Sequence, residues 1–120
     1  MTRFLTALVL LLLLDAVWLT AIAPTSRRVI AAIQGSPLQV RWIPALLVYL
    51  LIAAGITAFG SDAASGALLG AVIYGVYDLT NYATLRAYPL SYAAADIAWG
   101  TFLCGAVTAA TNWITSPKKD

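Results

Sequence analysis

Four long apolar runs, separated by short breaks rich in glycine, proline or polar residues, dominate the chain. A helix that crosses a bilayer needs about 20 predominantly apolar residues. The first run, 4–23, meets that length and is expected to end at Pro24, because proline cannot supply the next backbone N–H. Pro44 suits the first turn of a second helix over 43–59, which stops at Gly60-Ser61-Asp62. A third helix covers about 63–82. A fourth covers about 90–114, with Ser91 as its expected N-cap and Pro117 beyond its end.

The one sizeable connection, 25–42, carries its own pattern. Ser26 can cap a short helix over 27–34, which Gly35 would stop. Val29, Ile30 and Ile33 then fall on one side, and Arg27, Arg28 and Gln34 on the other. That pattern predicts a helix lying in the membrane surface; an ordinary loop with interfacial arginines is the alternative.

Composition sharpens the class. Of the 120 residues 62% are hydrophobic and 10% charged, whereas soluble domains carry about 45–50% apolar and about 25% charged residues. The fold expected is therefore an all-α integral membrane protein, a single domain of four transmembrane helices in an antiparallel bundle. Its localisation is a membrane, crossed several times. The N-terminus also imitates a secretory signal, with Ala21-Ile22-Ala23 resembling a cleavage site. Asp15 inside the apolar stretch and Pro24 just past the apparent site favour a retained first helix.

Charge and cysteine remove several functions. The net charge is +2, there is no His, and the seven basic residues are dispersed, so nothing resembles the clustered basic face that nucleic acid requires. The single Cys104 lies in an apolar run, where it reads as a small packing residue. Neither a Cys/His metal site nor a histidine-based triad can be built, and no cofactor is expected. Arg3, Lys118 and Lys119 flank the side that holds both termini; Arg27, Arg28, Arg41 and Arg86 flank the other. That count of four against three leans toward a cytoplasmic location for the second side.

Charged residues inside a membrane span are costly and mark function by default. Asp15 in helix 1, Asp78 in helix 3 and Asp96 in helix 4 return to one depth, in the half of the bilayer away from the termini, when residues are counted at 1.5 Å each. Asp15-x-x-Trp18 and Asp96-x-x-Trp99 repeat one pattern, whose two members share a helix face. Helix 3 steps by four through Gly66, Gly70, Tyr74 and Asp78, with Tyr77 and Asn81 beside them. The candidate ligand-binding residues are thus Asp15, Trp18, Tyr74, Tyr77, Asp78, Asn81, Asp96 and Trp99. A tyrosine, Asn81 or an indole N–H is expected to bond at least one carboxylate, and Arg86 is the expected counter-ion of Asp78. Structural readings stand beside these. Gly66-x-x-x-Gly70 is a common packing device, and Trp42, Trp113, Tyr82, Tyr88 and Tyr92 read as anchors at the span ends. Arginines could also hold the aspartates as plain ion pairs.

At these residues the sequence resembles a family. Asp15-x-x-Trp18-Leu19, Pro44 with Tyr49-Leu50, the run Tyr77-Asp78-Leu79-Thr80-Asn81-x-Ala83-Thr84 with Pro89-Leu90, and Asp96-x-x-Trp99-Gly100-Thr101 are similar to the predicted membrane proteins grouped as domain of unknown function 2177. The resemblance covers nearly the whole chain. It implies a four-helix membrane protein of bacterial type, hence a bacterial inner (cytoplasmic) membrane, and it carries no activity over. Chain size and a helix-1 aspartate are also similar to the small multidrug-resistance transporters, but the remaining motifs do not match that family.

Three functional classes follow. The aspartate cluster can bind or transport a proton, a cation or a lipid-like small molecule. Alternatively, the chain is an accessory or structural subunit of a larger membrane complex, or a homo-oligomer, packed through its glycine faces. Last, a lipid-modifying enzyme could use an aspartate as general acid or base, but no nucleophile, metal motif or phosphate loop supports it. An exposed Gly66/Gly70 face in the packed bundle would favour the accessory role. A cavity reaching Asp15 would favour binding.

Overall fold

A computed structural model describes residues 1–117; Lys118 and Lys119, two of the basic residues assigned to the terminal side, lie outside the described residues. The described chain forms four helices, α1 (Thr2–Gln34), α2 (Trp42–Phe59), α3 (Ala63–Thr84) and α4 (Leu90–Thr115). All four are long and apolar enough to cross a membrane. Leu13, Val17, Leu47, Leu51, Leu68 and Phe102 point outward, while Asp15, Asp78, Thr108 and Thr111 are buried. Apolar groups outside and polar groups inside is the arrangement that lipid demands, since hydrocarbon cannot satisfy a polar group. The protein is a multi-pass, all-α membrane bundle.

α1 departs most from expectation. Pro24 does not end it; the helix runs on to Gln34, and the segment expected as a separate surface helix is its last third. At 1.5 Å per residue α1 spans about 50 Å, well beyond the ~30 Å of a hydrocarbon core. Proline removes one backbone bond, a loss that tertiary contacts can outweigh. Here Val29 and Ile33 pack against Leu85, Tyr88, Tyr92 and Ala93, so the apolar stripe faces protein rather than lipid. Ser26 caps nothing. Its hydroxyl pairs with that of Tyr92 at 2.7 Å. Gly35 does stop the helix, at a φ of 71° that favours glycine.

The end of the bundle that holds Met1 is closed by Arg3. Its guanidinium donates to the carbonyls of Ile56, Thr57 and Gly60 at the end of α2, and to Asn112 Oδ1 on α4 at 3.1 Å. Asn112 in turn donates to the Ser61 carbonyl at 2.9 Å. The start of α1, the end of α2 and the end of α4 therefore meet. Beyond this knot lies a core of Ala7, Leu11, Ile52, Ala53, Ile56, Leu103, Cys104 and Val107.

α3 begins with a reciprocal cap. The Ser65 backbone N–H donates to Asp62 Oδ1 at 2.8 Å, and the Asp62 N–H donates to Ser65 Oγ at 3.0 Å. These bonds, the backbone one foremost, hold the exposed Asp62 carboxyl below its ordinary value. A carboxyl lowered on folding stabilises fully above its unfolded value, and that contribution fades as pH falls through the folded one. Asp62→Ala should therefore lower the thermal midpoint near neutral pH, with the gap to wild type narrowing on acidification. Asp62→Asn keeps the cap without titrating and should show a flatter acid dependence than wild type. Unfolding scans of the three proteins across the carboxylate range check this.

α3 and α4 make the most extensive pairing in the bundle. A Cβ on Gly70 would strike the Gly100 carbonyl oxygen and the Cys104 side chain, and one on Gly66 would strike Thr108. The glycine stripe is thus the seam of α3 with α4, and the small Cys104 packs in it. α4 starts at Leu90 with Pro89 as N-cap, so Ser91 sits inside the first turn and caps nothing. The turn closes earlier than expected because the Tyr88 N–H already bonds the Leu85 carbonyl, and the Ala93 N–H the Pro89 carbonyl.

Candidate functional site

α2 touches α3 far less than α1 touches α2 or α4. The gap between them, away from the Arg3 knot, becomes a cavity of about 540 Å³. Leu19 and Ile22 of α1, Val48, Leu51 and Ile52 of α2, and Ile73 of α3 form apolar walls. Leu51 and Tyr77, both on the wall, are 72% and 60% exposed, so the cavity opens outward between α2 and α3. Its polar groups are Asp15, Ser26, Tyr74, Tyr77, Tyr92 and Asp96.

Of the eight residues singled out from sequence, five line this cavity: Asp15, Trp18, Tyr74, Tyr77 and Asp96. The others stand behind it. Trp99 stacks on Trp18 with ring centroids 5.3 Å apart and planes 7° from parallel. Asp78 is fully buried, next to Asp96. Asn81 is half-buried beside the Tyr88 hydroxyl and reaches neither the cavity wall nor a carboxylate.

The two Asp-x-x-Trp motifs interlock across α1 and α4. Trp99 Nε1 donates to Asp15 Oδ1 at 2.8 Å, and the Trp18 indole lies against the Asp96 carboxyl. Each tryptophan serves the other motif's aspartate. This follows from the antiparallel pairing, because a three-residue step along α1 is met by the reverse step along α4. Tyr49 of α2 donates to Asp15 Oδ2, which fills the second oxygen. Tyr74 lies over Gly100, where a Cβ would collide with its ring. The glycine thus sets how far that phenol reaches into the cavity.

Arg86 is not the counter-ion. It is exposed in the turn after α3, and Asp78 Oδ1 accepts instead from the Tyr88 hydroxyl, while Asp78 Oδ2 has no partner among the described residues. The physical reason lies in the turn itself: α3 ends at Thr84, and the chain folds back so that Tyr88, not Arg86, comes over the end of α3. Burial, and behind it the bond to Asp78, push the Tyr88 phenol above its ordinary value, so it remains a donor.

Tyr88 and Tyr92, interfacial anchors by their place in the sequence, stand elsewhere in the fold: one holds Asp78 and the other pairs with Ser26 at the cavity. The signal available was the four-residue step from Tyr92 to Asp96, which places that phenol on the side of α4 that Asp96 shares; Tyr88 precedes the helix and carries no such signal. Tyr49 is a further site residue, at which only its depth in α2 hints in the sequence. Trp42 and Trp113, at 76% and 82% exposed, keep the outward position of anchors.

No curated protein and no solved structure matches the chain. A family model described as predicted membrane protein (DUF2177) matches residues 1–113. With nearly the full length matched, and with four helices long and apolar enough to cross a membrane, the chain belongs to the DUF2177 family of predicted membrane proteins.

Proposed function

We propose that this protein binds a lipid-like amphiphile with a cationic head, the apolar body lying in the cavity and the head against Asp15 and Asp96. One observation carries the reading: two carboxyl groups stand on the wall of an otherwise largely apolar cavity whose lining, among the described residues, contains no Arg or Lys. In a site of low dielectric a cation gains far more from a carboxylate than it does in water. The opening between α2 and α3 faces the lipid side, which suits a ligand already dissolved in the membrane. The host membrane in this reading is a bacterial inner membrane.

An accessory-subunit role would need a free glycine face. Gly66 and Gly70 are covered by α4 within the same chain, which removes the surface that role relied on.

The test is titration of the protein in neutral-lipid nanodiscs with decyltrimethylammonium, followed by tryptophan fluorescence, with n-decanol as the uncharged comparison. Trp18 and Trp99 sit at the site and report occupancy. Saturable quenching or shift is expected with the cation and at least about tenfold weaker binding with the alcohol, a difference of ~1.4 kcal/mol. Equal responses to both, or no saturable response to the cation, would overturn the reading.

A further inference from the structure

Asp78 is the one group at this site that the proposed binding does not use. It is fully buried, it does not line the cavity, and among the described residues its Oδ2 has no hydrogen-bond partner. A buried carboxylate oxygen without a donor is costly. Its neighbour across α3 and α4 is the Asp96 carboxyl, which does line the cavity.

Among the described residues, the titratable groups found facing this pair are acidic or phenolic. α1 contributes Asp15, α3 contributes Tyr74 and Tyr77, the following turn contributes Tyr88, and α4 contributes Tyr92. Tyr49 of α2 reaches Asp15 only. Two ionised carboxylates side by side here would repel with no cation to offset them. A single proton between them removes the repulsion and gives Asp78 Oδ2 its missing partner.

We propose that Asp78 and Asp96 hold one shared proton in the empty site and release it to water when a cationic head docks on Asp96, so that binding exchanges one proton for one cation. In that step the carboxyl O–H bond breaks, the proton leaves through the open cavity, and the resulting carboxylate takes the ammonium as its counter-ion; net charge in the site is unchanged. Asp78 does not touch the ligand. It is a positioning residue that sets the protonation of Asp96, with Tyr88 holding its other oxygen.

This inference rests on the proposed binding of a cationic amphiphile, and its test separates the two. Calorimetric titration of the nanodisc protein with decyltrimethylammonium near neutral pH, in two buffers of different ionisation enthalpy, counts protons released on binding. Wild type should release about one per cation. Asp78→Asn should bind the cation with no buffer dependence, because the amide N–H can serve Asp96 and leave it ionised. Tyr88→Phe keeps both carboxyls but removes a donor to the ionised form, so proton release should persist to higher pH than in wild type. That variant carries the test if Asp78→Asn fails to fold. Binding by wild type with equal heats in both buffers would overturn the exchange and leave the binding site standing. Release unchanged in the variants that fold would overturn its assignment to Asp78 and Asp96. Absence of binding would overturn both readings.

Discussion

Gly70→Ala should be among the most destabilising single-methyl additions in this protein, lowering its stability by about 2 kcal/mol net. The added Cβ would meet the Gly100 carbonyl oxygen and Cys104 Cβ, the latter at 2.8 Å, and neither atom belongs to a side chain that can swing away. Overpacking typically costs about 1–3 kcal/mol, and backbone as the obstacle puts this site at the upper end. Replacing glycine by alanine in a helix returns about 1 kcal/mol, which leaves a clear loss. Gly75→Ala is the control. It lies on the same helix, but a Cβ there would find nothing within 4 Å, so it should be neutral or slightly stabilising. Thermal unfolding in detergent compares them; equal midpoints for wild type and Gly70→Ala would mean that α3 and α4 are not packed through this seam.

Asp15 should separate binding from scaffolding. Its carboxylate accepts from two neutral donors on two helices, Tyr49 of α2 and Trp99 of α4. Asp15→Asn can preserve both contacts, since the amide oxygen accepts from the indole and the amide N–H₂ donates to a phenol that has rotated to accept. Stability should stay near that of wild type. Binding of decyltrimethylammonium should nevertheless weaken at least about tenfold, because the charge is gone while the shape remains. Asp15→Ala leaves both donors unpaired as well, and should lose about 1–2 kcal/mol on the scale of interhelical bonds in lipid. The buried Asp–Arg pair considered from sequence would have made Asn destabilising too, and neither donor found at Asp15 is an arginine. Unfolding midpoints and fluorescence titrations of the three proteins decide the matter. Wild-type affinity in Asp15→Asn would remove Asp15 from the binding role.

The legibility of this chain varied with the range of the interactions involved. α2 and α3 begin within a residue or so of expectation, because Pro44 and Gly60-Ser61-Asp62 act on the backbone where they stand. Pro24 misled for the opposite reason. Its local effect is one missing bond, and Val29 meeting Tyr88, from far along the chain, overrides it. Arg86 misled in a similar way. Opposite charge two helical turns away suggested a partner for Asp78, but the turn at Leu85–Pro89 delivers Tyr88 in its place.

Membrane residence, four spans, the common level of Asp15, Asp78 and Asp96 along the bundle, and the repeated Asp-x-x-Trp step were all written in the linear chain, because apolar length and helical rise are properties of single segments. Tertiary structure alone decided that Asp15 and Asp96 face a cavity while Asp78 is sealed behind it, that tyrosines and an indole supply the donors, and that the gap falls between α2 and α3. Depth follows from counting residues, but rotation about a helix axis does not. Rotation is set where helices touch, by Gly66 and Gly70 drawing α3 onto α4 and by Arg3 tying α1 to the ends of α2 and α4, and those contacts join residues far apart in sequence.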